Sequence, residues 1–364
     1  MKLSHVPSLD ATLSKLGFGA MRLPEKDGVI DQEQVNRMVK HAFDHGVNYF
    51  DTAYVYGDGA SELALGTALQ QLDRSKFYLA DKMPFWSIGE NHLDACFQTS
   101  LDRLQTDYID FYLLHCMGRD TYRTAKQLDA IKWAVQKKKE GKIRHLGFSI
   151  HDDYEFLLEI LGDYDWDFAQ IQFNYLDLQD KPGLAGYEEL TRRNIPIVIM
   201  EPLKGGALAD IPDHIAAPFR ALGGSNVSYA FRWLAEKPGI VTILSGMSTL
   251  AQVEDNVRVF ADIAPLSAAE HAAIDQVEQN IKSTQKVPCT GCRYCMPCPM
   301  GVMIPDQFKA WNTQAMQPKS GNWISGAAVD AENAALCVSC GACMTHCPQH
   351  INIPEKLREL SAGK

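Results

Sequence analysis

The sequence predicts a (β/α)8 barrel followed by a small cysteine-rich domain, and three observations predict it. Eight short apolar runs between Lys15 and Ser245 are each followed by a helix-length segment. That alternation suits a parallel sheet covered by helices. The rival is an open doubly wound sheet, whose nucleotide-binding glycine fingerprint should follow the first strand. Here Gly17-Phe18-Gly19-Ala20-Met21-Arg22 lacks the third glycine, so the closed barrel is preferred. The third observation is the crowding of eight of the ten cysteines between Cys289 and Cys347.

The strand candidates, in order, are Lys15–Gly19, Val47–Asp51, Phe77–Lys82, Tyr108–His115, Ile143–Ser149, Phe168–Phe173, Ile195–Met200 and Val241–Ser245. After the first, Asp31–His45 carries Val35, Met38, Val39, Ala42 and Phe43 on one helical face. The third strand is separated from its helix by 83–90. After the fifth, Asp152-Asp153-Tyr154-Glu155 reads as a helix start, with an acceptor cap at Asp152 and Glu155 three residues on. After the eighth, Leu250, Val253, Val257 and Phe260 mark one face. A further helix, Ala268–Lys282, leads to Lys286-Val287-Pro288, where the composition changes. The expected domains are therefore residues 1–284 and 285–364.

Composition narrows the function classes. The 364 residues carry a net charge of −10, which argues against a nucleic-acid binder. The charge is uneven: residues 285–364 hold seven basic and five acidic side chains, so the barrel carries all of the negative excess. No run approaches the ~20 apolar residues of a membrane helix. Met1 to Asp10 lacks a signal-peptide core, so a cytoplasmic address is expected. Cysteines clustered in such a chain read as metal ligands rather than as a disulfide framework.

The cysteine-rich tail repeats itself at an offset of 48 residues. Cys337, Cys340, Cys343 and Cys347-Pro348 form C-x2-C-x2-C-x3-C-P, the ligand run of two-cluster ferredoxins. Cys289, Cys292, Cys295 and Cys298-Pro299 form the same run with one residue fewer in the last gap. Each copy then continues to an Ile-Pro pair, Ile304-Pro305 and Ile353-Pro354. A tight triplet lets three thiolates wrap one cluster face while the fourth cysteine leaves toward a second cluster. The tail is thus expected to be ferredoxin-like, with two [4Fe–4S] clusters. One would be held by Cys289, Cys292, Cys295 and Cys347, the other by Cys337, Cys340, Cys343 and Cys298. Zinc is the alternative, held by two C-x2-C pairs, but it leaves the middle spacing and the Cys-Pro unexplained. Of the two outlying cysteines, Cys96 reads as a buried apolar residue. Cys116 either lines a pocket or simply packs.

In a (β/α)8 barrel the chemistry gathers where the strands end at the C-terminal face. The second strand ends in Asp51-Thr52-Ala53-Tyr54-Val55-Tyr56-Gly57, the third in Asp81-Lys82 and the fourth in Leu114-His115. Asp, Tyr, Lys and His at neighbouring strand ends make a usable acid catalyst. An ammonium beside a phenol favours the phenolate, and a carboxylate holds that ammonium in place. A histidine orients a carbonyl oxygen.

These strings resemble the aldo-keto reductase superfamily over about residues 1–265. The resemblance rests on Gly17-Phe18-Gly19, on 50–57, on Asp107-Tyr108-Ile109-Asp110 through His115, and on Gly141-Lys142-Ile143-Arg144 through Ser149. It implies a catalytic tetrad of Asp51, Tyr56, Lys82 and His115. Tyr56 would be the general acid, Lys82 its pKa-lowering partner, Asp51 the anchor of Lys82 and His115 the orienting group. It implies a nicotinamide cofactor, NADP or NAD, with contacts at Gly19, Met21, Ser149, Gln170, Met200, Pro202, Leu203, Gly205, Gly246, Ser248, Gln252, Asp255 and Asn256. Met200 stands where the family usually stacks a tyrosine. Gln252 stands where NADPH-preferring members have arginine, and a neutral amide makes no charge-assisted fork to a 2′-phosphate, so weak discrimination is expected. Barrel and tail together resemble a subgroup of that superfamily with a C-terminal double [4Fe–4S] domain.

A nicotinamide moves two electrons, whereas each cluster moves one. The expected function is carbonyl/alcohol oxidoreduction in the barrel, with the clusters exchanging electrons with a redox partner protein. A flavin relay would ease that exchange. The alternatives are a plain reductase with structural or sensing clusters, and an electron-transfer protein with a silent barrel. Pocket candidates are Met21, Tyr54, Phe85, Trp86, Cys116 and Met117, which favour an apolar or aromatic small-molecule carbonyl. The segment Asp210–Gly224 is expected to cover the cofactor.

Overall fold

The computed structural model describes residues 1–85, 92–179, 182–284, 286–287, 289, 295–315, 329–347 and 350–363. Trp86 and the ligand candidate Cys292, with the motif's Pro348, lie outside the described residues. The chain divides into two compact units, Met1–Pro202 with Ala230–Leu266 and Leu203–Tyr229 with Ser267–Lys364. This division follows compactness, whereas the expected boundary after residue 284 follows composition.

The first unit opens with an antiparallel hairpin, β1 (Leu3–Val6) and β2 (Ala11–Ser14), joined by a turn that ends on Asp10 at φ 44°. The barrel begins with β3 (Leu16–Gly19). A second small hairpin follows, β4 (Glu25–Lys26) with β5 (Val29–Ile30). The other barrel strands are β6 (Tyr49–Asp51), β7 (Tyr78–Met83), β8 (Ile109–Met117), β9 (Ile143–Ile150), β10 (Phe168–Gln172), β11 (Ile197–Met200) and β12 (Ile240–Gly246). They pair in parallel in chain order, and β12 closes onto β3. All eight strand candidates of the sequence therefore become staves.

Two of the barrel's helices start at an aspartate acceptor. Asp31 caps α1 (Gln32–Asp44) by accepting from the Gln34 N–H. α2 (Ala60–Leu69) and α3 (Leu93–Leu104) follow β6 and β7. After β9 the cap is Asp153, not Asp152: its side chain accepts from the Phe156 N–H. Asp152 instead binds Arg119, accepting from its backbone N–H at 3.1 Å and its guanidinium at 2.7 Å. The sequence pattern fits either residue. Arg119 pairs with both, its guanidinium also donating to the capping Asp153 Oδ1 at 2.8 Å, while Asp152 Oδ1 accepts from the Asp153 N–H at 2.8 Å.

One core cluster fills the barrel's N-terminal end. Val6, Leu9, Ala11 and Leu13 of the hairpin pack with Tyr49, Ala80, Phe111, Leu113, Phe168, Val198 and Leu244. The hairpin is a plug that the sequence does not announce, because four-residue strands around a turn are too short to carry a readable period.

In the second unit, Ser267 and Glu270 form a reciprocal capping box at the start of helix Ala268–Ser283. The repeated Ile-Pro pairs open two helices, Ile304–Ala315 and Ile353–Ser361. Their apolar residues Ile304, Phe308, Trp311, Ile353, Leu357 and Leu360 share one core with Val287, Val302 and Ile351. Asn333 clamps the copies together, accepting from the Met303 N–H at 3.0 Å and donating to the Gly301 carbonyl at 3.2 Å. Among the described residues no helix is long and apolar enough to cross a membrane.

Gly147 of β9 lies against Phe168. A Cβ there would stand 2.6 Å from the ring and 2.7 Å from the Phe168 carbonyl oxygen, so rotating the ring cannot relieve the clash. Gly147→Ala is expected to destabilise the barrel by about 1–3 kcal/mol, the usual cost of overpacking. Urea unfolding followed by circular dichroism checks this, and an unchanged midpoint would contradict it.

Candidate active site

A strand alternates its faces with period two, so a residue two places beyond an inward-facing core residue also points into the barrel, one layer nearer the C-terminal rim. That rule builds the site. Tyr49, Ala80, Leu113, Phe168, Val198 and Leu244 line the apolar layer. Two residues further along each strand stand Asp51, Lys82, His115, Gln170, Met200 and Gly246. On β9, Ser149 stands two beyond Gly147. The polar layer therefore rests directly on the apolar one.

Within it Lys82 is fully buried. Its Nζ donates to Asp51 Oδ1 at 2.6 Å and to the Thr52 carbonyl at 2.5 Å. Burial pulls the ammonium's pKa down, but the Asp51 carboxylate and Tyr56 outweigh it and hold the pKa above its ordinary value. Burial raises the Asp51 carboxyl, and Lys82 opposes that rise. The Lys82 nitrogen lies 4.9 Å from the centre of the Tyr56 ring. The Tyr56 and His115 rings meet edge to face at 5.8 Å. The four tetrad candidates thus form one cluster. Lys82 does act to lower the Tyr56 phenol, but burial outweighs it and the net direction is upward.

His115 does not end its strand. β8 runs on to Met117 through an irregularity between Leu114 and Met117, with Cys116 at φ 52°. Ser149 Oγ accepts from the Cys116 N–H at 2.7 Å, and Thr121 Oγ1 donates to the Cys116 carbonyl at 3.0 Å. Ser149 therefore fixes the turn beside His115 as well as facing the barrel interior.

The other cofactor candidates fall into two groups. Gln170 is buried, donates to the Met200 sulfur at 3.5 Å, and leaves a buried Oε1 with no hydrogen-bond partner among the described residues. Such an orphaned acceptor suits a carboxamide N–H. At the rim, Ser248 Oγ donates to the Arg22 carbonyl, and Gln252 Oε1 accepts from the Ser248 N–H at 2.7 Å. Asn256 is turned inward, donating to Ser245 Oγ at 2.8 Å, and Asp255 pairs with Arg258. Gly19 is buried, Met21 is exposed and Pro202 is buried. Leu203 and Gly205 belong to the second unit, where Gly205 sits at φ 67°.

In that second unit, Cys295, Cys298, Cys337, Cys340 and Cys343 line a cavity of about 410 Å³, with His346 and Val338 at its wall. Burial pushes the Cys343 thiol up to about 11, and neighbouring Cys337, Cys295 and Cys340 add to the rise. Cys289 and Cys347 pack against the same unit's apolar core. The described cysteines are all free of disulfides. Among the described residues, no group of three or more His, Cys, Asp or Glu side chains is set to grip a single ion.

Residues 15–279 match the aldo/keto reductase family. The chain belongs to the aldo/keto reductase family. Residues 288–351 match a 4Fe-4S dicluster domain, which completes the subgroup resemblance. As a member of the family the chain is an oxidoreductase.

Relatives span most of the barrel. L-galactose dehydrogenase of Arabidopsis thaliana is 27% identical over 290 residues, 73% of this chain and 90% of that protein. Methylglyoxal reductase YeaE of Escherichia coli is 29% identical, covering 64% of this chain and 80% of its own. A probable aldo-keto reductase 1 of Glycine max is 35% identical over 148 residues, and the match spans only 41% of that protein. The aldo-keto reductase AKR11C1 of Bacillus halodurans has the same fold, with a TM-score of 0.63 at 24% identity over 76% of this chain and 96% of that one.

Sequence reasoning missed several residues around this reductase site. Arg22 forms a 3.9 Å ion pair with Glu201 beside the Gly246–Ser248 rim. Ser61 Oγ accepts from Thr52 Oγ1 and donates to the Ala20 carbonyl, tying the end of β6 to the turn after β3. Burial, helped by Lys82 and His151, pushes the His115 imidazole well below its ordinary pKa. It is expected to stay neutral from pH 6 upward. Nitrogen NMR of histidine-labelled protein checks this, and a doubly protonated His115 ring at pH 6 would contradict it.

Proposed function

We propose that the chain reduces a small carbonyl compound with NADPH or NADH, and that Tyr56 gives the proton. The observation that carries this reading is the buried Lys82–Asp51 pair beneath Tyr56, with His115 beside the same phenol. When bound, the nicotinamide supplies hydride to the carbonyl carbon. Tyr56 donates its proton to the carbonyl oxygen as charge develops there. The Lys82 ammonium stabilises the phenolate that remains, and Asp51 keeps that ammonium from leaving the site. A neutral His115 donates a hydrogen bond that orients the carbonyl. Ser149 and Gln170 hold the cofactor's carboxamide, for which the orphaned Gln170 Oε1 is suited. Met200 would pack on its ring, and Gly19, Met21, Gly246 and Ser248 of the first unit would continue the contacts along the rim. A small carbonyl substrate is supported by relatives named for L-galactose and methylglyoxal. A structure of an aldo/keto reductase from Klebsiella pneumoniae is described in complex with NADP and acetate. With Gln252 neutral and already bonded to the Ser248 N–H, discrimination between NADPH and NADH is weak in this reading.

The tail, residues 285–364 in functional terms, would hold two [4Fe–4S] clusters and exchange electrons with a partner protein. When bound, the clusters supply single electrons. Cys337, Cys340, Cys343 and Cys298 would hold one cluster; all four line one cavity, which Cys295 also lines. Cys289, Cys292, Cys295 and Cys347 would hold the other, with Cys347 crossing from the second copy of the repeat.

Tyr56→Phe keeps the ring and removes the proton. Turnover of methylglyoxal and 4-nitrobenzaldehyde with NADPH is expected to fall by about 10²–10⁴-fold, the scale of general acid catalysis, with cofactor binding retained. Wild-type turnover in this variant would overturn the assignment. Anaerobically reconstituted protein is expected to contain about eight irons per chain, two four-iron clusters' worth. A limit of four irons would refute the second cluster.

A further inference from the structure

The segment that carries Tyr56 has little regular structure of its own. Gly57, Asp58 and Gly59 stand at φ 57°, 53° and 92°, three consecutive left-handed residues. Asp58 is there without a glycine's freedom, so the surroundings must hold the conformation. The segment's own bonds are modest: the Tyr56 N–H donates to Ala53 at 3.0 Å and the Asp58 N–H to Val55 at 3.3 Å.

One group from outside grips both ends of the segment. The Arg103 guanidinium, reaching from α3, lies 4.7 Å from the centre of the Tyr54 ring, and its Nη1 stands 3.4 Å from the Tyr54 carbonyl oxygen. At the other end it packs against Gly59. A Cβ added there would come within 2.4 Å of the Arg103 Cζ and Nη1, so the glycine is what admits the guanidinium. The same Nη1 is 2.7 Å from Glu62 Oε2, and the Glu62 side chain is wholly buried on α2. Behind them stands Asp81, which faces outward on β7 immediately before Lys82. Burial raises its carboxyl, Glu62 adds to that rise, and Ser100 and Lys82 oppose it. Cys96 completes the surroundings through Tyr54.

We propose that Arg103, anchored by Glu62, is a positioning residue that holds the Tyr54–Gly59 segment so that the Tyr56 hydroxyl meets Lys82 and the substrate oxygen. The proposal rests on the reading of Tyr56 as proton donor and deepens it. Arg103 touches neither Lys82 nor the reacting atoms. It acts through the backbone on either side of Tyr56. A guanidinium is needed because its several N–H groups and carbon must lie over Tyr54 and against Gly59 while Nη1 binds Glu62. A lysine ammonium supplies the charge without the plane.

Two variants test this. Arg103→Lys keeps a cation for Glu62, so no buried carboxylate is stranded. Gly59→Ala keeps both partners of the ion pair and displaces the guanidinium from the segment. It also strains a backbone at φ 92°, so its effect supports the proposal only beside a matching effect of Arg103→Lys. Each is assayed as the full chain with 4-nitrobenzaldehyde and NADPH. The readouts are kcat, the NADPH dissociation constant from fluorescence quenching, the solvent deuterium isotope effect on kcat, and the thermal midpoint. In whichever variant folds, kcat is expected to fall on the order of 10–100-fold, the effect of misplacing a reacting group by about 1 Å. NADPH affinity stays within about twofold, a factor worth ~0.4 kcal/mol. The solvent isotope effect rises, because proton donation from a displaced Tyr56 becomes the slow step. Folded variants with wild-type kcat overturn the proposal. So does a kcat loss matched by an equal loss of NADPH affinity, or one with an unchanged isotope effect, since either marks general loosening of the site. Should Arg103→Lys not fold, Arg103 is structural and the proposal fails. The parent reading stands or falls separately, on Tyr56→Phe.

Discussion

A fully buried ammonium is the constraint on which the barrel's polar layer depends. An isolated charge in such a place would neutralise or unfold the site, because desolvation costs several kcal/mol per ion. Lys82 stays charged because Asp51 and the Thr52 carbonyl take its hydrogen bonds at 2.6 and 2.5 Å. Everything nearby is arranged around that pair. β6 and β7 must be neighbours in the right register for Asp51 to reach Lys82, and the register pairs Asp51 with Ala80, two residues below the lysine. The apolar layer under Ala80 excludes water from beneath. The turn after Asp51 then delivers Tyr56 over the ammonium, and β8 delivers His115 beside the phenol.

Much of this is legible in the sequence, for a physical reason. Parallel staves buried on both faces read as short apolar runs, and polar Asp51, Lys82 and His115 near their C-terminal ends mark the rim, although β8 runs on past His115 to Met117. The cysteine spacing is equally plain, because a C-x2-C-x2-C triplet is a compact run whose three thiolates can share one cluster. What stays hidden is set by partners distant in the chain. Nothing local favours Asp153 over Asp152 as a helix cap, and Arg119, which pairs with both carboxylates, lies 33 and 34 residues away in the chain. The bulge at Cys116 is fixed by Ser149 and Thr121, neither of which carries a bulge signal. The grip of Arg103 on Gly59 joins two helices and a loop, and an arginine on an amphipathic helix ordinarily reads as a solvated one.

The two kinds of chemistry in this chain differ in electron count. Nicotinamide chemistry moves a pair, and an iron–sulfur cluster moves single electrons. In the proposed reading the tetrad needs no cluster to reduce a carbonyl, and the repeated cysteine unit has its own core, from Val287 to Leu360. A relay such as flavin, or a substrate that tolerates a radical, would be needed to couple them directly. The clusters in the proposed reading therefore serve exchange with a partner protein rather than the proton transfer at Tyr56.

The central claim is that Lys82 is an ammonium pinned by Asp51 and that this charge makes Tyr56 an effective acid. Nitrogen NMR of lysine-labelled protein reads the Lys82 charge directly. The account predicts a charged Lys82 through pH 10 in the wild type. In Asp51→Asn, with its counter-charge removed, Lys82 becomes neutral at lower pH, and carbonyl reduction falls in step with that neutralisation. A neutral Lys82 at pH 8 in the wild type, or an Asp51→Asn protein whose Lys82 titration is unchanged, would contradict it.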